Sequence, residues 1–132
     1  MLFETTGAAE TRPRAVLTSA DLMTVQSLVR RMPVGEAVVE AILKLVRSLR
    51  PGEASADVAS QIAWGPGPRA SQALMLTVRA RALIDGRFAP SLDDVEALAI
   101  PVLQHRMAVT FAARADRVSV RDLIGSAVKA VL

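Results

Sequence analysis

A run of glycine and proline residues, Gly65-Pro66-Gly67-Pro68, stands directly before Arg69. Proline is common at the first position of a helix, because its missing N–H would have no partner there. The run therefore predicts a rigid connector followed by a helix that begins at Pro68 and holds Arg69 in its first turn. A cation in that turn opposes the helix dipole at a cost of about 0.3 to 1 kcal/mol.

A cation held at an unfavourable place indicates that an anion binds in front of it. The first turn of a helix carries free N–H groups, and a planar guanidinium matches the oxygens of a phosphate. The spacing is equally consistent with a simpler interpretation, in which Pro68 merely starts the helix and Arg69 is solvated.

The chain lacks the residues that most other kinds of catalytic, metal or nucleotide-binding site require. The chain contains no cysteine and a single histidine, His105, which excludes a disulfide framework, cysteine catalysis and a histidine-rich metal site. Its two lysines, Lys44 and Lys129, follow Leu43 and Val128, so the Gly-Lys pair of a P-loop is missing. We therefore expect no catalytic residue, no metal site and no activity from this chain alone.

The composition is that of one globular domain with a sizeable core. The chain has 132 residues, of which 52% are hydrophobic and 22% charged. Its N-terminus has no basic start followed by an apolar stretch, and no uncharged run is long enough to cross a membrane, so a cytoplasmic location is expected. The net charge is only +3, and the arginines are scattered among acids with few aromatic residues, so nothing indicates nucleic-acid binding.

Helical periodicity begins at Thr18, after a polar segment, residues 1–17, that we interpret as a linker or hinge. The first helix follows the capping sequence Thr18-Ser19-Ala20-Asp21 and ends at Pro33. The second ends at Pro51-Gly52. Their apolar positions recur at steps of three and four: Leu22, Val25, Leu28, Val29 and Met32, then Val38, Ile42, Leu45 and Leu49.

The middle of the chain predicts a short helix and then a long one. Asp57 can cap a short helix that extends through Ile62 and Ala63. The helix that begins at Pro68 then continues to about Asp85 with apolar residues around much of its circumference. It is expected to be the central helix of the domain.

The last third contains two further capping sequences. Ser91 begins a helix, and Pro101 must either kink this helix or begin another one. Ser119 begins the final helix. The stretch 107–111 fits either an extended segment or the end of the preceding helix. The predicted fold is therefore all-α, a small bundle of about five to six helices over residues 18–132, with one possible short extended segment near 107–111.

The segment Gly-Pro-Arg-Ala-Ser-Gln-Ala-Leu, residues 67–74, resembles the sensor 2 motif of the MoxR family of AAA+ ATPases. Nearly the whole chain resembles the C-terminal region of that family, in the same order. The matching segments are residues 4–7, 16–22, 29–34, 45–51, 80–87 and 101–106. The loop before the arginine departs from the commonest family form, which leaves its detailed shape open.

The resemblance implies a helical lid domain whose α/β core, absent from this chain, binds ATP and Mg²⁺. In that family the lid closes over the nucleotide, and the sensor 2 arginine, here Arg69, extends toward the γ-phosphate. The supporting loop would comprise Trp64, Gly65, Gly67 and Pro68. The implied partners are the ATPase core, expected upstream in the same reading frame, and neighbouring subunits of a ring that remodels other proteins as a chaperone.

Two other functions remain open, a stand-alone helical adaptor for a protein partner and a basic nucleic-acid-binding domain. Trp64 could stack on a nucleotide base, but packing in the core or between domains is the commoner use of a lone tryptophan. Arg79, Arg81 and Arg87 could face the core domain or a neighbouring subunit, but a solvated face is the simpler expectation. A lid separated from its core should also expose an unusually large apolar patch or associate with itself.

Overall fold

Seven helices and two short strands form residues 14–132, the part of the chain that this computed structural model describes. The elements are α1 Ser19–Arg31, α2 Glu36–Ser48, α3 Ala56–Gln61, β1 Ile62–Trp64, α4 Pro68–Ile84, α5 Leu92–Leu103, β2 Ala108–Val109, α6 Phe111–Ala115 and α7 Val120–Val131. The all-α prediction is confirmed, and the helix beyond the predicted five to six is the five-residue α6.

The predicted linker is described only in part. Residues 1–13 lie outside the described residues, and residues 14–17 form exposed, non-helical chain that leads into α1. Among the helices that the structure describes, none combines the length and the apolar character needed to cross a membrane.

Helix starts follow the predicted capping sequences. Thr18 and Ser119 each accept a hydrogen bond from the backbone N–H three residues later, and the carboxylates of Asp21 and Asp122 accept the N–H of the cap in return. Hydrogen bonds from the cap hydroxyl and then the cap N–H lower the pKa of both aspartates. These local bonds explain why the two boundaries could be predicted within a residue.

The centre of the bundle is α4. It packs against α1, α2 and α5, while α7 covers α2 and α5 on the far side. Its buried residues recur every fourth position: Ala70, Leu74, Val78 and Ala82. The core around this row also contains fully buried residues from outside α4: Ile42, Leu45, Leu49, Val95, Leu103 and Ile124.

The short helix α3 differs from its prediction at both ends. Its N-cap is Ser55, so Asp57 lies in the first turn, and it ends at Gln61. Ile62 and Ala63 belong to β1, because this segment pairs antiparallel with β2, with Ile62 opposite Val109. A partner some 47 positions along the chain overrides the local helical tendency. Within the stretch 107–111 it selects the extended alternative for Ala108–Val109, while Phe111 already begins α6.

Pro101 neither ends α5 nor starts a new helix. The helix continues through it to Leu103, and both Val102 and Leu103 are buried in the core. A proline cannot donate to the carbonyl four residues back, here that of Ala97. Because Ala97 is exposed, water can bind that carbonyl, and burial of the last turn holds the helix together.

A buried carboxylate joins the end of α4 to the start of α5. The side chain of Asp94 is 2% exposed and accepts two hydrogen bonds from Arg87, at 2.8 Å and 2.7 Å. Arg81 lies 3.3 Å from the same carboxylate. Arg81 and Arg87 are 42% and 38% exposed, as expected for a solvated face, but the sequence did not predict that both would pair with a buried carboxylate. Arg87 and the Ser91 N–H outweigh the effect of burial and lower the pKa of Asp94.

We predict that Asp94→Asn lowers the free energy of unfolding at pH 7 by about 2 kcal/mol, because the hydrogen bonds lose their charge. A carboxyl with a depressed folded-state pKa stabilises the fold above its unfolded pKa of about 4 and loses that contribution as pH falls through the folded value. Urea unfolding from pH 7 to pH 2 should therefore show a shallower pH dependence in the variant.

The matched control for this prediction is Asp93→Asn, which changes an exposed acid in the same helical turn. Its unfolding free energy should stay within about 0.5 kcal/mol of the parent chain. Equal loss in both variants, or an unchanged pH profile for Asp94→Asn, would contradict a structural role for the buried carboxylate.

Candidate functional site

The connector between β1 and α4 is held firmly by the end of α2. Pro66 is fully buried, and its carbonyl accepts a hydrogen bond from Nε of Arg50 at 2.9 Å. Gly65 lies so close to the Leu49–Arg50 backbone that a Cβ atom would overlap the Leu49 carbonyl oxygen. The predicted rigid connector is thus present, and contacts with α2 as well as its prolines make it rigid.

The connector delivers Arg69 to the start of α4 as predicted. Gly67 is the N-cap, Pro68 occupies the first position and Arg69 the second. The Arg69 side chain is exposed, and no residue in the range 14–132 forms a hydrogen bond or ion pair with its guanidinium. The N–H of Ala70 is bonded to the Gly67 carbonyl at 2.9 Å and is therefore not free to bind an anion.

The electrostatics of this helix start are unusual within the described part of the chain. Every other described helix of eight residues or more has an acidic residue in its first turn, which neutralises the positive end of the dipole. The first turn of α4 has no acid and carries a cation instead. Such an arrangement favours an anion supplied from outside the described chain.

Trp64 lies at the other end of the connector and is 53% exposed. It is therefore not a core residue, and the expectation of packing in the core is wrong. Packing against another domain and stacking on a base both stay untested. The structure keeps Trp64, Gly65, Gly67, Pro68 and Arg69 together as one continuous segment.

Arg50 is the part of this site that the sequence did not reveal. No spacing rule relates it to Pro66, which lies 16 positions later. Its only local signal is the turn that follows, where it also pairs with Glu53 at 3.2 Å. Across residues 14–132, no group of acidic or histidine side chains is arranged to hold a metal ion.

Comparison with known proteins decides the family. Residues 54–126, which include the connector and Arg69, match the model of the AAA lid domain. The chain belongs to the AAA lid domain family. This lid is 30% identical over 127 residues to the chaperone MoxR1 of Mycobacterium tuberculosis, which confirms the MoxR resemblance.

A solved structure shows the same fold. The lid superposes on part of a candidate ATPase from Cytophaga hutchinsonii with a TM-score of 0.78 and 24% sequence identity, over 86% of this chain. The chain spans about a third of the length of both relatives, 34% of the chaperone and 35% of the crystallised protein.

We predict that Gly65→Ala destabilises the lid by about 1 to 3 kcal/mol, because the added methyl group must displace the end of α2. Gly52→Ala is the matched control, since no atom lies within 4 Å of a Cβ built at that turn. Thermal unfolding followed by circular dichroism measures both variants. A melting temperature for Gly65→Ala equal to that of Gly52→Ala would contradict the close packing of the connector.

Proposed function

We propose that this lid senses ATP bound on an AAA+ core and that Arg69 acts as its sensor 2 arginine. The observation that carries the proposal is the guanidinium of Arg69, which has no partner among residues 14–132 and lies at the acid-free start of α4. It lies inside the region that matches the lid family. A terminal phosphate would supply the missing anion, and the core would hold the nucleotide and its Mg²⁺.

The rigid connector gives this contact a mechanical consequence. Because Pro66 and Gly65 are held against the residues that follow α2, the backbone at Arg69 would move toward a phosphate only together with the bundle. Binding of ATP would therefore close the lid over the core, and loss of the terminal phosphate on hydrolysis would release it. Nucleotide state would be converted into a change of domain angle.

The wider role follows from the relative that is named a chaperone. We infer that the lid belongs to a chaperone-like ATPase whose subunits form a ring and remodel other proteins. Closure of each lid would then alter its contacts with the core and with the neighbouring subunit. The proposed chaperone role rests on similarity to that relative. The proposed role of Arg69 can be tested by substituting this residue.

Arg69→Ala in the full-length ATPase that contains this lid should lower kcat for ATP hydrolysis by at least about tenfold. Affinity for ATP should change less, because the core supplies most of the binding contacts. Arg69→Lys should restore only part of the rate, since an ammonium cannot bind two phosphate oxygens in the plane of a guanidinium. Steady-state hydrolysis and fluorescent-nucleotide titration measure the two quantities.

Arg121→Ala is the matched control for this test. Arg121 is also exposed at the second position of its helix, α7, but its first turn contains Asp122. Its removal should leave turnover unchanged. Unaltered hydrolysis and unaltered ring assembly in Arg69→Ala, or equal losses in both variants, would refute the sensor assignment.

A further inference from the structure

An apolar groove runs between α1, α2 and α4, and Ser71 and Gln72, in the turn of α4 that follows Arg69, also line it. It encloses about 520 Å³ and is lined mainly by Val39, Ile42 and Leu43 of α2 and by Met75 and Leu76 of α4. Leu43 is 47% exposed at its edge. Val39 and Leu43 are one helical turn apart, so the groove matches two apolar side chains spaced by one turn of a bound helix.

Positive charge gathers at one end of this groove. Arg30, on the last turn of α1, is the charged residue among the described side chains that line it. Arg79 follows Met75 by one turn of α4, and its guanidinium donates a hydrogen bond of 3.3 Å to the Arg30 carbonyl. Within residues 14–132, neither guanidinium is paired with a carboxylate.

Arg79 is also incompletely satisfied. Its Nε atom is buried and has no hydrogen-bond partner among the described residues. Buried donors are nearly always bonded, so an unbonded one is costly. A carboxylate placed at this end of the groove would neutralise the positive charge of Arg30 and Arg79.

We propose that this groove is a docking site for an acidic amphipathic segment of a separate protein. Two apolar side chains of the segment would fill the groove, and a carboxylate beside them would bind Arg30 and Arg79. Docking at this groove involves no residue of the connector and is independent of the role of Arg69.

The test uses the full 132-residue chain and two synthetic helical peptides labelled with fluorescein. Both carry leucines one turn apart, one flanked by glutamates and the other by lysines at the same positions. Fluorescence anisotropy should show that the acidic peptide binds at least about tenfold more tightly and that its affinity falls with added salt.

Substitutions then locate the binding. Arg30→Gln and Leu43→Ser should each weaken binding of the acidic peptide by about fivefold or more, and Arg79→Gln by a similar factor. Arg30 and Leu43 are exposed, so their variants should fold even where Arg79→Gln does not. Arg121→Gln, an exposed arginine on α7, should bind like the unmodified chain.

Several results would overturn the proposal. Equal affinity for the two peptides, or binding that Arg30→Gln and Leu43→Ser leave unchanged, would exclude the groove as an acidic docking site. If removal of residues 1–13 made the peptide bind more tightly, that segment would be the occupant of the groove. If dimer formation competed with peptide binding, the occupant would be a second copy of the chain. Loss of peptide binding in the full-length ATPase would show that its own core covers the groove.

Discussion

Burial of one face of α4 is the constraint on which the lid depends. Ala70, Leu74, Val78 and Ala82 are each at most 1% exposed and form a single row along the helix. With that row fixed against α2 and α5, both ends of α4 have determined positions. Its N-terminus then presents Arg69 to solvent, and its C-terminus meets the start of α5 through the carboxylate of Asp94.

The two ends of α4 differ in whether their charged side chains are paired. At the C-terminal end, the charges of Arg81, Arg87 and Asp94 compensate one another inside the chain, so that end contributes to stability. At the N-terminal end, Arg69 has no acidic partner among the described residues. Stabilising contacts around the connector come from Arg50 and Pro66, not from Arg69 itself, and this leaves Arg69 available for a ligand.

Local signals allowed much of this lid to be predicted from its sequence. The caps at Thr18, Ser91 and Ser119 and the proline at position 68 fix helix starts through bonds within a few residues, so they could be predicted directly. Contacts between distant residues could not. The pairing of Ile62 with Val109, the bond from Arg50 to Pro66 and the burial of Asp94 depend on how the helices pack, and no periodicity encodes them.

The proposed contact between Arg69 and the terminal phosphate of ATP would be visible in a structure of the full-length ATPase with Mg²⁺ and a non-hydrolysable ATP analogue. We expect a guanidinium nitrogen of Arg69 at about 3 Å from a γ-phosphate oxygen, with the connector unchanged. A γ-phosphate bound by other residues, with Arg69 directed into solvent while the lid is closed, would contradict it.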